Sequence, residues 1–197
     1  MKKRQFLTAA ALAGGVLPTL LPAASQAAAR TARGPALLTL TGAIGNVNRG
    51  RFDPVLDQMM HKQKLSFDKA HAFDFDALAL LPAISIKPTL EYDAKAHALR
   101  GPALLDVLKA AGAAVREDSQ LVLRAVDGYA VSLSVAQARA QGFIVATHLD
   151  GQPMALGGLG PLWAVYDADR VAQMAAKPLA QRFASCPWAL YHIEVPA

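Results

Sequence analysis

Apolar residues in this chain come in short bursts separated by Gly, Pro, Asn and Asp, and the spacing inside each burst predicts an element. Leu37 to Ile44 alternates and ends among Gly42 and Gly45, a strand running into a loop. Asn46 to Gly50 is turn chemistry. Phe52 to Asp76 is polar and mixed, with room for a second strand over Lys64 to Phe67. Asp74 to Leu81 puts Phe75, Leu78 and Leu81 on one helical face, and Pro82 ends that helix. Ala83 to Tyr92 is strand-like. Gly101-Pro102 introduces a helix from Ala103 to Ala111, with Leu104, Leu105, Val107 and Leu108 as its apolar face and Gly112 as its stop. Leu121 to Ala125 and Tyr129 to Val135 flank Asp127-Gly128, a hairpin signal. Ala136 to Gln141 reads as a short helical turn, Phe143 to Leu149 as one strand, and Gln152 to Pro161 as a glycine-rich loop after the Asp150-Gly151 turn. Leu162 to Tyr166 and Trp188 to Val195 are the last two strands. No internal repeat is present, and the strands lack the regular helix alternation of a doubly wound sheet. The expected class is α+β, a mixed β-sheet with short helices.

The first residues follow a different pattern. Lys2, Lys3 and Arg4 precede a stretch from Gln5 to Ala29 with no charged residue, whose apolar core runs from Phe6 to Leu21. Pro22 and then Ser25-Gln26-Ala27 follow, a small-x-small cleavage site. Gly14, Gly15 and Pro18 interrupt the run, whereas a membrane-spanning helix wants about 20 continuous apolar residues. A signal peptide over 1–27, cleaved after Ala27, and a periplasmic location are therefore expected. Lys3-Arg4-Gln5-Phe6-Leu7 also resembles a twin-arginine signal with lysine in the first position, and a general secretory signal suits the segment equally. A flexible leader is expected over 28–36 and a single domain over 37–197.

Charge and cysteine content narrow the function. The formal net charge is +5, of which Lys2, Lys3 and Arg4 of the expected signal peptide supply +3, leaving +2 for the rest. That is too balanced for a nucleic-acid surface. The single cysteine, Cys186, excludes an internal disulfide and reads as a small, partly buried residue. His61, His71, His97, His148 and His192 lie neither at i, i+3 or i, i+4 spacing nor in a Cys/His cluster, so no metal site is predicted. No P-loop, nucleophile elbow or dinucleotide fingerprint is present.

Several short motifs, in order, resemble the small proteins with a sulfite-oxidase-like, molybdopterin-binding domain. They are Leu38-Thr39-Leu40-Thr41-Gly42-Ala43-Ile44, then 75–82, then Leu99-Arg100-Gly101-Pro102 and the helix after it. Asp127-Gly128-Tyr129, Asp150-Gly151-Gln152-Pro153, Gly160-Pro161-Leu162-Trp163 and Trp188-Ala189-Leu190 continue the series. The segment from Asn48 to Asp74 does not match and reads as an insertion. The resemblance implies the sulfite-oxidase-like fold with a cleft for a pterin. It also implies a metal-ligating cysteine within Ala83 to Tyr92, because molybdenum there needs a soft thiolate, and this chain has none in that segment. The implied ligand is a reduced pterin or a molybdopterin-like molecule, with no molybdenum. The implied role is that of cysteine-less periplasmic relatives, which bind reduced pterins and signal to a membrane-bound regulator of cyclic-di-GMP. A molybdopterin-dependent oxidoreductase with a non-standard metal site is the alternative, and a pure interaction module is a third reading.

A pterin needs a flat wall for its ring and donors and acceptors at its edges. Trp163 and Trp188 are candidates for the wall, with a place in the core as the competing role for each. Asp127 and Tyr129 are candidates for the ring edge, although Asp127 also suits a plain turn. Ser185 and Arg182 precede Trp188, and in the resembling proteins this segment faces the cleft, so Arg182 is the candidate for a tail of phosphate or hydroxyl groups. Asn46 and Asn48 are further candidates, as is the backbone of Gly157, Gly158 and Gly160.

Overall fold

The computed structural model describes residues 34–196. The expected signal peptide, and the leader up to residue 33, lie outside the described residues. Among those described, no helix is long and apolar enough to cross a membrane.

A five-stranded mixed sheet forms the centre, in the order β2-β1-β11-β5-β6. Its strands are β1 (Leu38–Gly42), β2 (Ala70–Phe73), β5 (Gln120–Ala125), β6 (Ala130–Ser134) and β11 (Leu190–Val195). β1 and β11 run parallel, Leu40 beside Ile193, and the other pairs are antiparallel. The first four residues of β1 are all buried, as are Leu121 and Leu123, because the sheet is covered on both faces. A four-stranded sheet, β3 (Ala83–Ile86), β4 (Leu99–Pro102), β8 (His148–Leu149) and β9 (Gln152–Pro153), stands beside it, with the pair β7 (Ile144–Ala146) and β10 (Trp163–Val165).

The helices are short: α1 (Gln58–Lys62), α2 (Phe75–Ala79), α3 (Leu104–Ala110), α4 (Val135–Gln141) and α5 (Ala172–Ala175). Their ends follow their caps. The Asp74 carboxylate accepts the Ala77 N–H at 2.8 Å to start α2, and Ser134 does the same for Gln137 at 3.1 Å to start α4. Gly142, left-handed at φ 67°, stops α4. Leu104, Val107 and Leu108 turn the buried face of α3 into the core.

Some expectations on elements differ from the structure. The second strand is Ala70–Phe73 rather than Lys64–Phe67: Lys64 takes a left-handed φ of 59° where the chain leaves α1. α1 itself carries a single buried residue, Met60, too little for a helical period to show. Gly101-Pro102 leads into α3 as expected and also ends β4, where a Cβ at Gly101 would stand 2.0 Å from the Val145 carbonyl oxygen; only glycine lets β4 approach β7 so closely. Phe143 to Leu149 is two strands in two sheets, split at Thr147, whose N–H and hydroxyl both donate to the Arg100 carbonyl. The segment read as an insertion supplies β2 to the main sheet and a staple, Arg49 with Asp57 at 2.5 Å.

Candidate functional site

Three segments meet at the end of the main sheet where β11 begins. The turn between β5 and β6 contributes Asp127 and Tyr129, next to Ala125 at the end of β5. The run before β11 contributes Phe183, Ala184, Cys186 and Trp188, and the loop between β3 and β4 contributes Glu91 and Tyr92. Between them lies a cavity of about 280 Å³. Its rim is aromatic, with Tyr92 56 %, Tyr129 49 % and Trp188 38 % exposed.

Local chemistry fixes each wall. Gly128 takes a φ of 93°, which lets the hairpin turn tightly. Asp127 Oδ1 accepts the Tyr129 N–H at 2.9 Å, an Asx turn, at a residue that lines the cavity. The Tyr129 hydroxyl donates to the Ala184 carbonyl at 2.5 Å and so ties the hairpin to the segment before β11. Trp188 is held by an antiparallel bridge to Trp163. The Glu91–Tyr92 loop is pinned from both ends. The Thr89 N–H donates to Asp169 at 2.7 Å, and His97 joins Asp150 (2.6 Å) to Asp93 (3.0 Å).

The electrostatics are acidic. Among the described residues that line the cavity there is no lysine, arginine or histidine, while Glu91 and Asp127 are both present. Burial, with the Glu91 carboxylate beside it, pushes the Tyr92 hydroxyl up to about 12. Burial also pushes the Cys186 thiol up, with Glu91 adding to the effect. Both groups therefore stay protonated at neutral pH and act as neutral walls.

The sequence candidates separate accordingly. Asp127, Tyr129 and Trp188 converge on the cavity. Trp163 does not: it is fully buried, its Nε1–H donates to the Cys186 carbonyl at 2.9 Å, and it offers no ring face to a ligand. Ser185 is half-buried with its hydroxyl against Tyr166 and Cys186 rather than the cavity. Arg182 is fully engaged, Nε with the Lys177 carbonyl, Nη1 with Asp169 at 2.8 Å and Nη2 with the Ala175 carbonyl, so it holds a loop instead of a ligand tail. Asn46 lies after the C-terminal end of β1, beside the C-terminal end of β11, at the opposite end of the sheet, and Asn48 lies along the outer edge of β2. There Asn46 caps the Ala110 carbonyl and Asn48 brackets Ala72. Gly157, Gly158 and Gly160 do not line the cavity either. Glu91 and Tyr92 were the residues missed. Their signal was positional: they close the very segment in which the resemblance implies a metal-ligating cysteine.

No family model matches the chain, and no curated protein matches it in sequence. Among solved structures, the sulfane dehydrogenase SoxCD from Paracoccus pantotrophus is similar, with a TM-score of 0.52 at 11 % identity. The fold is sulfite-oxidase-like. The likeness covers 81 % of this chain and 37 % of that one, so this chain spans little more than a third of the protein it resembles.

The molybdopterin–metal group implied by that fold does not fit the residues present. Metal ligation there needs a thiolate, and the only cysteine is buried, which keeps it a thiol. A phosphorylated tail needs a cation, and the lining residues supply none. Among the described residues, no three His, Cys, Asp or Glu side chains gather closely enough to hold a metal ion.

Proposed function

We propose that this protein is an exported pterin-binding protein that works without molybdenum chemistry and acts as a ligand sensor. One observation carries the reading: a cavity of about 280 Å³ rimmed by Tyr92, Tyr129 and Trp188 and holding two carboxylates. The volume sits near the lower end of small-molecule sites, about 300 Å³, which suits a bicyclic ring with a short side chain. Aromatic faces stack on such a ring. The 2-amino group and adjacent N–H of a pterin form a row of donors, and a carboxylate accepts two of them side by side. Asp127, with one oxygen uncommitted, and Glu91 are the residues placed for that pairing.

Calorimetry with tetrahydrobiopterin tests it. Binding is expected for the wild-type protein, with Asp127→Asn and Trp188→Ala each weakening it at least about tenfold, ~1.4 kcal/mol. Absence of heat across the titration sinks the reading, and stoichiometric molybdenum in protein from a cofactor-competent host favours the oxidoreductase alternative instead. The signalling half of the proposal, an exported sensor acting on the periplasmic domain of a membrane-bound cyclic-di-GMP regulator, is supported by the motif resemblance alone. Its test is whether cyclic-di-GMP levels respond to added pterin with the wild-type protein and fail to respond with Asp127→Asn.

A further inference from the structure

We infer that Glu91 and Asp127 make the cavity selective by charge, so that it takes reduced pterins with an uncharged side chain and rejects their phosphate esters. This rests on the pterin reading above and adds the ligand class to it. The two carboxylates come from different loops, and among the described residues neither is in an ion pair. Among the described residues, Asp127 accepts one hydrogen bond, from a neutral amide, the Tyr129 N–H.

The two arginines that adjoin the cavity walls in sequence are committed elsewhere. Arg182 sits within the segment that walls the cavity, but its guanidinium spans Asp169 and two carbonyls. Arg124 precedes Ala125 of the wall, but it pairs with Glu194 at 2.8 Å and reaches His192 at 3.3 Å. Moving either arginine toward a ligand breaks bonds the fold relies on. A phosphate ester carries between one and two negative charges near neutral pH. In this cavity it meets two carboxylates and no counter-charge among the lining residues, at a solvent-exposed rim where the repulsion is felt at low salt and screened at high salt. A hydroxylated side chain meets only hydrogen-bond partners.

The experiment is a paired titration of the wild-type protein with tetrahydroneopterin and its phosphate monoester. At low salt the ester is expected to bind at least about tenfold more weakly. Raising salt to about 1 M, where the Debye length is about 3 Å, narrows the gap. Glu91→Gln and Asp127→Asn each narrow it at low salt, read as the ratio of the two affinities. Equal or tighter binding of the ester, or a gap indifferent to salt, overturns the proposal and leaves the pterin reading standing. No binding of either ligand removes the pterin reading itself, and this one with it.

Discussion

Trp163 and Trp188 look alike in the sequence, each within two residues of a proline and close to the start of a strand, yet their rings have opposite surroundings. Trp163 pairs with Ala146 inside the β7–β10 sheet, packs 5.9 Å from Phe183 and donates to the Cys186 carbonyl. Trp188 faces the cavity with more than a third of its surface exposed. Trp163→Ala is therefore expected to cost about 3–5 kcal/mol, the range for emptying an aromatic site in a core, and to leave a buried carbonyl without its donor. Trp188→Ala is expected to cost about 1 kcal/mol or less while weakening pterin binding. Urea unfolding beside calorimetry separates the two, and comparable stability losses in both variants would contradict the assignment. Local sequence does not distinguish a buried tryptophan from a rim one when both stand near a proline and the start of a strand. The difference comes from which strand covers each, and that is long-range information.

At the scale of elements, the loop between β3 and β4 decides whether the cavity has a third wall. Its turn holds Glu91 and Tyr92, with Ala94 at a φ of 57°; Leu90 anchors the loop in the core, and polar bonds hold its two ends. Lys87 and Thr89 donate backbone N–H groups to Asp167 and Asp169, and Arg182 bonds that same Asp169. Arg182→Ala is expected to free Asp169, loosen the loop and raise hydrogen exchange at Thr89 without changing the charge of the cavity. His97 closes the other end. Its hydrogen bonds to Asp150 and then Asp93 hold its pKa above the ordinary 6.5, and those carboxylates are held below their ordinary 3.8, chiefly by the same bonds. The staple thus stabilises fully below about pH 6.5 and is lost as pH rises through the higher folded value of His97. On the acid side it holds above about pH 3.8 and is lost as pH falls through the depressed carboxylate values. Exchange of the amides from 91 to 97, corrected for intrinsic rate, should increase on going from pH 6 to about pH 9. His97→Ala should abolish that dependence. Such anchors were only partly legible. The Asp74 and Ser134 caps and the Asp127-Gly128 turn are local and could be read directly. The His97–Asp150 contact joins residues 53 positions apart and leaves no periodic trace. The short strands from β7 to β9 are fixed by pairing partners rather than by their own pattern.

Across the whole molecule, the first and last strands of the main sheet lie side by side, and the buried His192 joins them. Its Nε2 meets the Thr41 hydroxyl at 2.9 Å and its Nδ1 meets Arg124 at 3.3 Å, with Arg49 on the same side through its bond to Thr39. Burial, and then the positive charges of Arg124 and Arg49, press its pKa down to about 3. The unfolded chain takes up a proton at this residue near pH 6.5, whereas the folded chain refuses it until about pH 3. Stability contributed by a neutral His192 is therefore complete above about pH 6.5 and falls as the solution is acidified, by up to about 1.4 kcal/mol per pH unit. His71, held down by partial burial, works in the same direction, and His97 in the opposite one. The clean measurement is consequently made in a His97→Ala background, comparing it with His97→Ala/His192→Gln, so that only the contribution of His192 differs. Between pH 7 and about pH 5, above the range where most carboxylates titrate, the single variant should lose about 2 kcal/mol more urea stability than the double. Parallel slopes would mean that His192 titrates in the folded protein as it does in the unfolded chain. The joint between β1 and β11 would then tolerate a charge between two arginines, which its packing argues against.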